Sequence, residues 1–180
     1  MRASLLSLGL LTACATQPPQ RPIASQVSTC YVATSPVPIQ WGDSTNAAVQ
    51  DFARPSDAAY SLLYIERTSG HPDRDYDVRV TQQANGQWHV VRYQGARITT
   101  RTLPRSAFAD CLPLRPAHYV PPTCRGFSSL SIMGVLCVKQ GPATTFSMGL
   151  DLVQWERLTA SEQHLLQPGF DLIQQLKQYQ

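Results

Sequence analysis

The sequence predicts an α+β fold: a disulfide-stapled antiparallel β-sheet of about five or six strands, with helices packed on it at the C-terminal end. Three observations predict this class. Two β-prone segments flank Asn85-Gly86, a dipeptide typical of tight hairpin turns. Residues 144–152 (TTFSMGLDL) alternate apolar and polar side chains, as a half-buried strand does. The strongest helical signals come last, from Thr159 onwards.

The first predicted elements are short. Residues 30–34 form a β-prone segment that prolines cut off, and a brief helix around residues 47–52 ends before Pro55. Residues 59–67 (AYSLLYIER) then carry apolar side chains in both alternating sets. This pattern predicts a strand that is covered on both faces.

A hairpin follows, with strands at residues 76–83 and 87–94. A type I′ turn centred on Asn85 and Gly86 fixes which residues lie opposite one another. Two of the predicted pairs form an apolar side of the hairpin, and a pair of arginines forms a solvated side. The predicted pairs are Val80 with Val91, Val78 with Tyr93, and Arg79 with Arg92.

The C-terminal half predicts a second hairpin and then helices. Residues 129–138 are β-prone and pair with residues 144–152 across a short polar loop. Residues 159–162 (TASE) have the spacing of a capping box, in which the first and last side chains satisfy free backbone N–H groups at a helix start. Pro168 ends or kinks this helix, and a final helix follows it.

The composition indicates a globular domain and excludes one class of function. The chain has 180 residues, 43% of them hydrophobic and 15% charged, with a formal net charge of +3. This charge excess is too small for a nucleic-acid-binding domain, which needs basic residues clustered on one face. We therefore expect no nucleic-acid partner.

The N-terminus predicts export. Residues 3–13 are apolar or small, and Arg2 is the only charge before them. The run is far shorter than the roughly 20 residues that span a bilayer, and it is typical of a secretory signal peptide. The stretch Leu11-Thr12-Ala13-Cys14 resembles the lipobox of bacterial lipoproteins, in which the cysteine is acylated and becomes the first residue after cleavage.

This resemblance implies a lipid anchor and a domain plan. Residues 1–13 would be the signal peptide, 14–29 the lipidated Cys14 with a Pro/Gln-rich tether, and 30–180 a single domain. In this lipoprotein class Asp after the cysteine favours the inner membrane, and Ala15 stands there instead. The resemblance thus implies an outer-membrane anchor facing the periplasm. The alternative is an ordinary secretory signal with a free Cys14.

Four cysteines remain in the predicted domain, and in an exported protein they predict two disulfides with three possible connectivities. We favour Cys30–Cys111 with Cys124–Cys137. A zinc site needs closely spaced pairs such as CxxC, which the chain lacks. We therefore predict no metal and no cofactor.

No residue is predicted to be catalytic. The chain contains no G-x-S-x-G or H-E-x-x-H motif, and its histidines stand in unrelated contexts. The acidic residues at 73, 75 and 77 resemble the start of a calcium loop, but Val78 and Ala84 occupy the positions where an EF-hand needs Gly and Glu. A solvated acidic turn balanced by nearby arginines is the alternative that we favour.

The candidate binding residues are mostly arginines, with few acidic residues among them in sequence. Such a group suits an acidic protein, lipid headgroups or an anionic glycan. The alternative is a solvated face balanced by acids elsewhere. The candidates are Arg92, Arg97, Arg101, Arg105, Arg115, His118 and Tyr119.

We therefore predict a non-enzymatic outer-membrane lipoprotein that binds or assists envelope protein partners and touches the membrane through its lipid. One alternative is an inhibitor or immunity lipoprotein against a periplasmic hydrolase or toxin, which would use a proline-stiffened loop at residues 113–123. Another is a hydrolase that acts on the cell wall.

Overall fold

The computed structural model describes residues 30–39, 47–124 and 131–179. The predicted signal peptide, Cys14 and the tether lie outside these residues. The helices of the described part are α1 (Ala47–Ala53), α2 (Ala160–Lys177) and the 3-10 helices η1 (Pro72–Arg74), η2 (Arg105–Phe108) and η3 (Leu152–Arg157). The strands are β1 (Cys30–Thr34), β2 (Tyr60–Thr68), β3 (Tyr76–Gln82), β4 (Trp88–Gln94), β5 (Arg97–Leu103), β6 (Ala117–Cys124), β7 (Ile132–Gln140) and β8 (Ala143–Asp151).

The strands form one sheet in the order β1-β6-β8-β7-β2-β3-β4-β5. The predicted α+β class with five or six antiparallel strands is wrong. The described chain is mostly β, with eight strands, and the sheet is mixed because β6 pairs with β8 in parallel. The predicted C-terminal helices are one helix, since Pro168 lies inside α2 without interrupting it. The predicted capping box at Thr159 and Glu162 is confirmed.

Strand β2 lies near the middle of the sheet and is buried along most of its length, as its two apolar sets predict. Leu62 and Tyr64 face the larger core, which α2 covers with Leu172 among other side chains. Leu63 faces the smaller core on the other side of the sheet, beneath α1. The sheet is therefore covered on both faces in its central part.

The β3–β4 hairpin is present, but its predicted register is wrong by one residue. Only Gly86 takes a positive φ, of 82°, whereas a type I′ turn needs one at Asn85 as well. The Gln83 N–H donates to the Gln87 carbonyl over 2.8 Å, so the loop contains three residues. The observed pairs are Val80 with Val90, Val78 with Arg92, and Arg79 with Val91.

This one-residue shift moves Arg92 to the other side of the sheet, because successive residues of a strand point to opposite faces. Arg92 now shares the face of Val78 and Val90, which belong to the larger core beneath α2. Arg79 instead contacts Asp51 of α1 on the opposite face, where it forms an ion pair.

The predicted disulfide pairings Cys30–Cys111 and Cys124–Cys137 are both wrong, because Cys111 and Cys137 carry free thiols. The reason for the second is topological. Strand β8 lies between β6 and β7, so Cys124 and Cys137 are on strands roughly 10 Å apart, too far for a disulfide. Cys30 is disulfide-bonded, and its backbone lies opposite that of Cys124.

The segment at residues 113–123 is not the protruding loop predicted as suited to an inhibitor. Its second half is strand β6, which pairs with β1 on one side and β8 on the other. Pro121 and Pro122 are accommodated because the β1 register shifts between Tyr31 and Ala33, opposite these prolines.

Candidate functional site

Hairpin β4–β5 brings three of the predicted binding arginines to one face. Gly95 starts its two-residue turn with a φ of 56°, a backbone conformation that glycine adopts without strain. The turn sets Gln94 opposite Arg97, Arg92 opposite Thr99 and Val90 opposite Arg101. Directly opposite residues of antiparallel strands share a face. The arginines therefore lie on the side of the sheet that also carries α2.

These side chains line a cavity of about 310 Å³ at the outer end of the sheet. We call it the arginine groove. It is built entirely by β4 and β5, and its lining holds three guanidinium groups, one carboxamide and one hydroxyl. Its residues are Arg92, Gln94, Arg97, Thr99 and Arg101.

Among the described residues, the lining of the arginine groove contains no acidic side chain. Among the described residues, no Asp or Glu forms an ion pair with its three arginines. Other arginines are balanced: Arg67 pairs with Asp75 and Asp77, over 3.9 and 2.6 Å. The described lining therefore concentrates positive charge without a paired carboxylate, and like charges close together repel one another.

Arg92 is the half-buried member of the groove and is held in place from two sides. Its guanidinium carbon lies 4.8 Å from the centre of the Tyr76 ring, within the range of a cation–π contact. Its Nη2 donates to Gln94 Oε1 over 3.0 Å. Its Nε is buried and has no hydrogen-bond partner among the described residues. An unpaired buried donor costs about 1–3 kcal/mol.

The Tyr76 ring is in turn fixed by a buried carboxylate. Glu66 Oε2 accepts hydrogen bonds from Tyr64 Oη over 2.5 Å and from Tyr76 Oη over 3.0 Å, and it lies 2.7 Å from Lys177 Nζ of α2. Burial, with the neighbouring Tyr76 and Glu66, raises the pKa of Tyr64 far above its ordinary value. Tyr64 therefore stays protonated and remains a donor. This network joins the end of α2 to the floor beneath Arg92.

The other predicted binding residues lie elsewhere. Arg105 lies against Gly86 at the tip of the β3–β4 hairpin. Arg115 and Tyr119 line a separate, more apolar cavity of about 520 Å³ with Phe146 and His164. Strand β6, which follows Arg115, is six positions from β5 in the sheet order. The candidates therefore fall into at least two distinct regions.

His118 contacts a serine and not the arginines. Its Nδ1 lies 3.0 Å from Ser147 Oγ, which also accepts the Ile39 N–H over 3.0 Å. A histidine beside a serine is the start of a nucleophile–base pair. Ser147 is completely buried, however, and among the described residues no carboxylate pairs with His118. The pair therefore fixes the segment after β1.

The acidic turn at residues 73–77 is used for ion pairing and backbone contacts. Besides its contact with Arg67, Asp75 accepts the Thr68 N–H over 2.7 Å. Within the described ranges, no group of three or more His, Cys, Asp or Glu side chains is placed to hold a metal ion. In the same part of the chain, no helix combines the length and apolar character needed to cross a bilayer.

Sequence reasoning missed Gln94 and Thr99 as lining residues of the groove. The signal that could have found them is the strand alternation through Gly95, which places every second residue from Gln94 and from Arg97 on one face. Polar residues such as these attract less notice than arginines, although their carboxamide and hydroxyl groups also bind anions.

No protein-family model matches the chain, and no curated protein and no solved structure is significantly similar to it. Its function is therefore argued from the groove itself.

Proposed function

We propose that this chain is a lipid-anchored, non-enzymatic binding component of an envelope assembly, held at the outer membrane by Cys14 and facing the periplasm. It binds an anionic partner through the arginine groove. The observation that carries the proposal is the placement of Arg92, Arg97 and Arg101 on one face, around a cavity with no acidic side chain in its lining.

The chemistry of the groove supports an anionic ligand. Guanidinium groups are weakly hydrated and bind carboxylate or phosphate oxygens through two parallel hydrogen bonds. The cavity of about 310 Å³ is as large as small ligand sites in proteins. Arg92 contributes a guanidinium group to the lining, and Thr99 contributes a hydroxyl.

A binding role is also supported by the burial of Ser147, the serine that lies beside His118. A hydrolase that uses Ser147 would have to expose a hydroxyl that is fully buried and already accepts a backbone N–H. The segment at residues 113–123 that would suit an inhibitor is strand β6 from Ala117 onwards.

The experiment compares envelope crosslinking in cells that express the full chain with and without single charge reversals. Arg97→Glu reverses an exposed groove charge, and Arg115→Glu makes the same change at an exposed arginine outside the groove. We expect Arg97→Glu to reduce recovery of crosslinked partners by at least about tenfold, because one close charge pair lost is worth that much. Arg115→Glu should leave recovery unchanged.

Equal recovery with wild-type, Arg97→Glu and Arg115→Glu chains would show that the arginine groove is not the binding surface. Recovery of a single stoichiometric enzyme or toxin that loses activity when bound would support the inhibitor alternative instead. Recovery of a multi-component assembly supports the proposed accessory role.

A further inference from the structure

Strand β5 is an edge strand with little covering it. It ends the sheet order, so one side of its backbone has no neighbouring strand among the described residues. Six of its seven residues are exposed, and only Leu103 is buried. An edge of this kind offers unpaired N–H and C=O groups to any extended chain that can lie beside it.

The two faces of β5 differ in chemistry. Arg97, Thr99 and Arg101 point into the arginine groove. Ile98 points to the opposite face, and it is 62% exposed, more than any other large hydrophobic side chain described. Thr100 and Thr102 follow it on that face, since residues alternate along a strand. A strand added to this edge would therefore meet positive charge on one side and apolar or β-branched side chains on the other.

The charges of β5 disfavour pairing with a second copy of this chain. In an antiparallel β5–β5 pair centred on Thr99, each Arg97 would stand directly opposite Arg101 of the other copy. Like charges that are directly opposed destabilise a strand pair. Charged side chains on edge strands are a common device against such self-association. The charge pattern therefore selects a partner of opposite sign.

We infer that β5 accepts an extended acidic segment of a partner protein as a ninth strand of the sheet. The segment carries Asp or Glu at alternate positions facing the arginine groove, and apolar or β-branched residues at the positions between them, facing Ile98. This inference rests on the proposed anion-binding function of the groove and specifies the partner that meets it.

The geometry matches this occupant well. Side chains directly opposite across a strand pair have Cβ atoms about 5 Å apart, so a carboxylate next to Arg97 or Arg101 lies within reach of its guanidinium. Acidic residues at alternate positions of the added strand share one face, so two of them four positions apart can stand opposite Arg97 and Arg101, with the one between them opposite Thr99. Arg92 lies one strand further in, where it reinforces the positive field of the groove. Backbone hydrogen bonds supply affinity and the alternating side chains supply specificity.

The test uses two fluorescent eight-residue peptides of identical composition, four Glu and four Val. In one peptide the residues alternate, and in the other the four Glu precede the four Val. Binding to the full chain is measured by fluorescence anisotropy, and backbone hydrogen exchange of residues 97–103 is measured with each peptide. We expect the alternating peptide to bind at least about tenfold more tightly and to slow exchange in β5.

Two protein variants separate the contributions of the faces. Arg97→Glu should weaken binding of the alternating peptide at least about tenfold. Ile98→Ser should weaken its binding several-fold without changing the binding of the peptide in which the four Glu precede the four Val. Arg115→Glu should affect neither peptide.

Other outcomes overturn the inference in distinguishable ways. Equal affinity for both peptides, unchanged exchange in β5 and a retained effect of Arg97→Glu would exclude strand addition but leave the anion-binding function intact. Binding of vesicles containing phosphatidylglycerol, sensitive to Arg97→Glu, with no binding of either peptide would assign the groove to lipid headgroups. Absence of all binding would exclude both the added strand and the proposed function of the groove.

Discussion

The contact between α2 and the sheet beneath the arginine groove can be tested by removing its two charges separately. Lys177 Nζ lies 2.7 Å from Glu66 Oε2, and the Glu66 side chain is 10% exposed while that of Lys177 is 29% exposed. Glu66 also accepts hydrogen bonds from the hydroxyl groups of Tyr64 and Tyr76. The two substitutions therefore leave different groups without a partner.

Lys177→Met leaves a buried carboxylate without its cation. Breaking a fully buried pair in this way costs about 3–5 kcal/mol, and the partial exposure of Lys177 reduces this to about 2 kcal/mol. Glu66→Gln keeps an oxygen that accepts from both tyrosines, and the freed Lys177 can reach water. It should cost about 1 kcal/mol, the difference between charged and neutral hydrogen bonds. The double variant should be destabilised by about 1 kcal/mol less than the sum of the two single variants, and this difference is the coupling energy of the pair.

The assay is urea unfolding of the purified protein at neutral pH, followed by far-UV circular dichroism. With a slope of about 2 kcal/mol per molar urea, Lys177→Met should lower the midpoint by about 1 M, and Glu66→Gln by about half of that. The slope itself should not change. A Glu66→Gln variant that is as destabilised as Lys177→Met, or a coupling near zero, would refute the reasoning that Glu66 is a buried charge that requires its cation.

Three further predictions concern other parts of the chain. Gly149→Ala should lower the unfolding free energy by about 1–3 kcal/mol, measured by thermal unfolding, because a Cβ there would lie 2.5 Å from Pro121 Cγ. Burial raises the pKa of Cys137 from 9.0 to about 12, so unfolding releases a proton above about pH 9 and stability should fall with rising pH from there. Cys137→Ala should reduce that slope, and a thiol reagent should modify half-exposed Cys111 well before Cys137. Cys14→Ala should leave the chain unprocessed and without incorporated palmitate, whereas unchanged processing and membrane attachment would contradict the predicted lipid anchor.

Local patterns in the sequence predict individual elements well. The dense apolar residues of β2 predict its burial on both faces, and TASE predicts the start of α2. The predicted fold class is nevertheless wrong. Strand β6 contains Pro121 and Pro122, and prolines in a sequence indicate against a strand. The irregular pairing with β1 accommodates them in the structure. Local sequence patterns also do not determine the order of the strands in the sheet. The position of β8 between β6 and β7 is what makes the predicted Cys124–Cys137 disulfide impossible.

Predicting the candidate site depends on the backbone conformation of Asn85, which sequence patterns do not determine. Whether Asn85 joins Gly86 in the left-handed region decides the hairpin register by one residue, and this decides the face on which Arg92 lies. The observed register places Arg92 with Arg97 and Arg101, although the predicted type I′ turn set it opposite Arg79. The three arginines of the groove could be named from the sequence, but the position of Arg92 on the same face as Arg97 and Arg101 could not.

The central claim is that partners meet this chain at the arginine groove, and site-specific photocrosslinking in living cells tests it most directly. A photoreactive amino acid replaces Thr99 in the groove or, as a control, exposed Ala143 at the start of β8, five positions away in the sheet order. We predict a discrete crosslinked product from position 99 that disappears when Arg97→Glu is added, and no such product from position 143. A product from position 143 alone, or one from position 99 that persists in the Arg97→Glu background, would contradict the account.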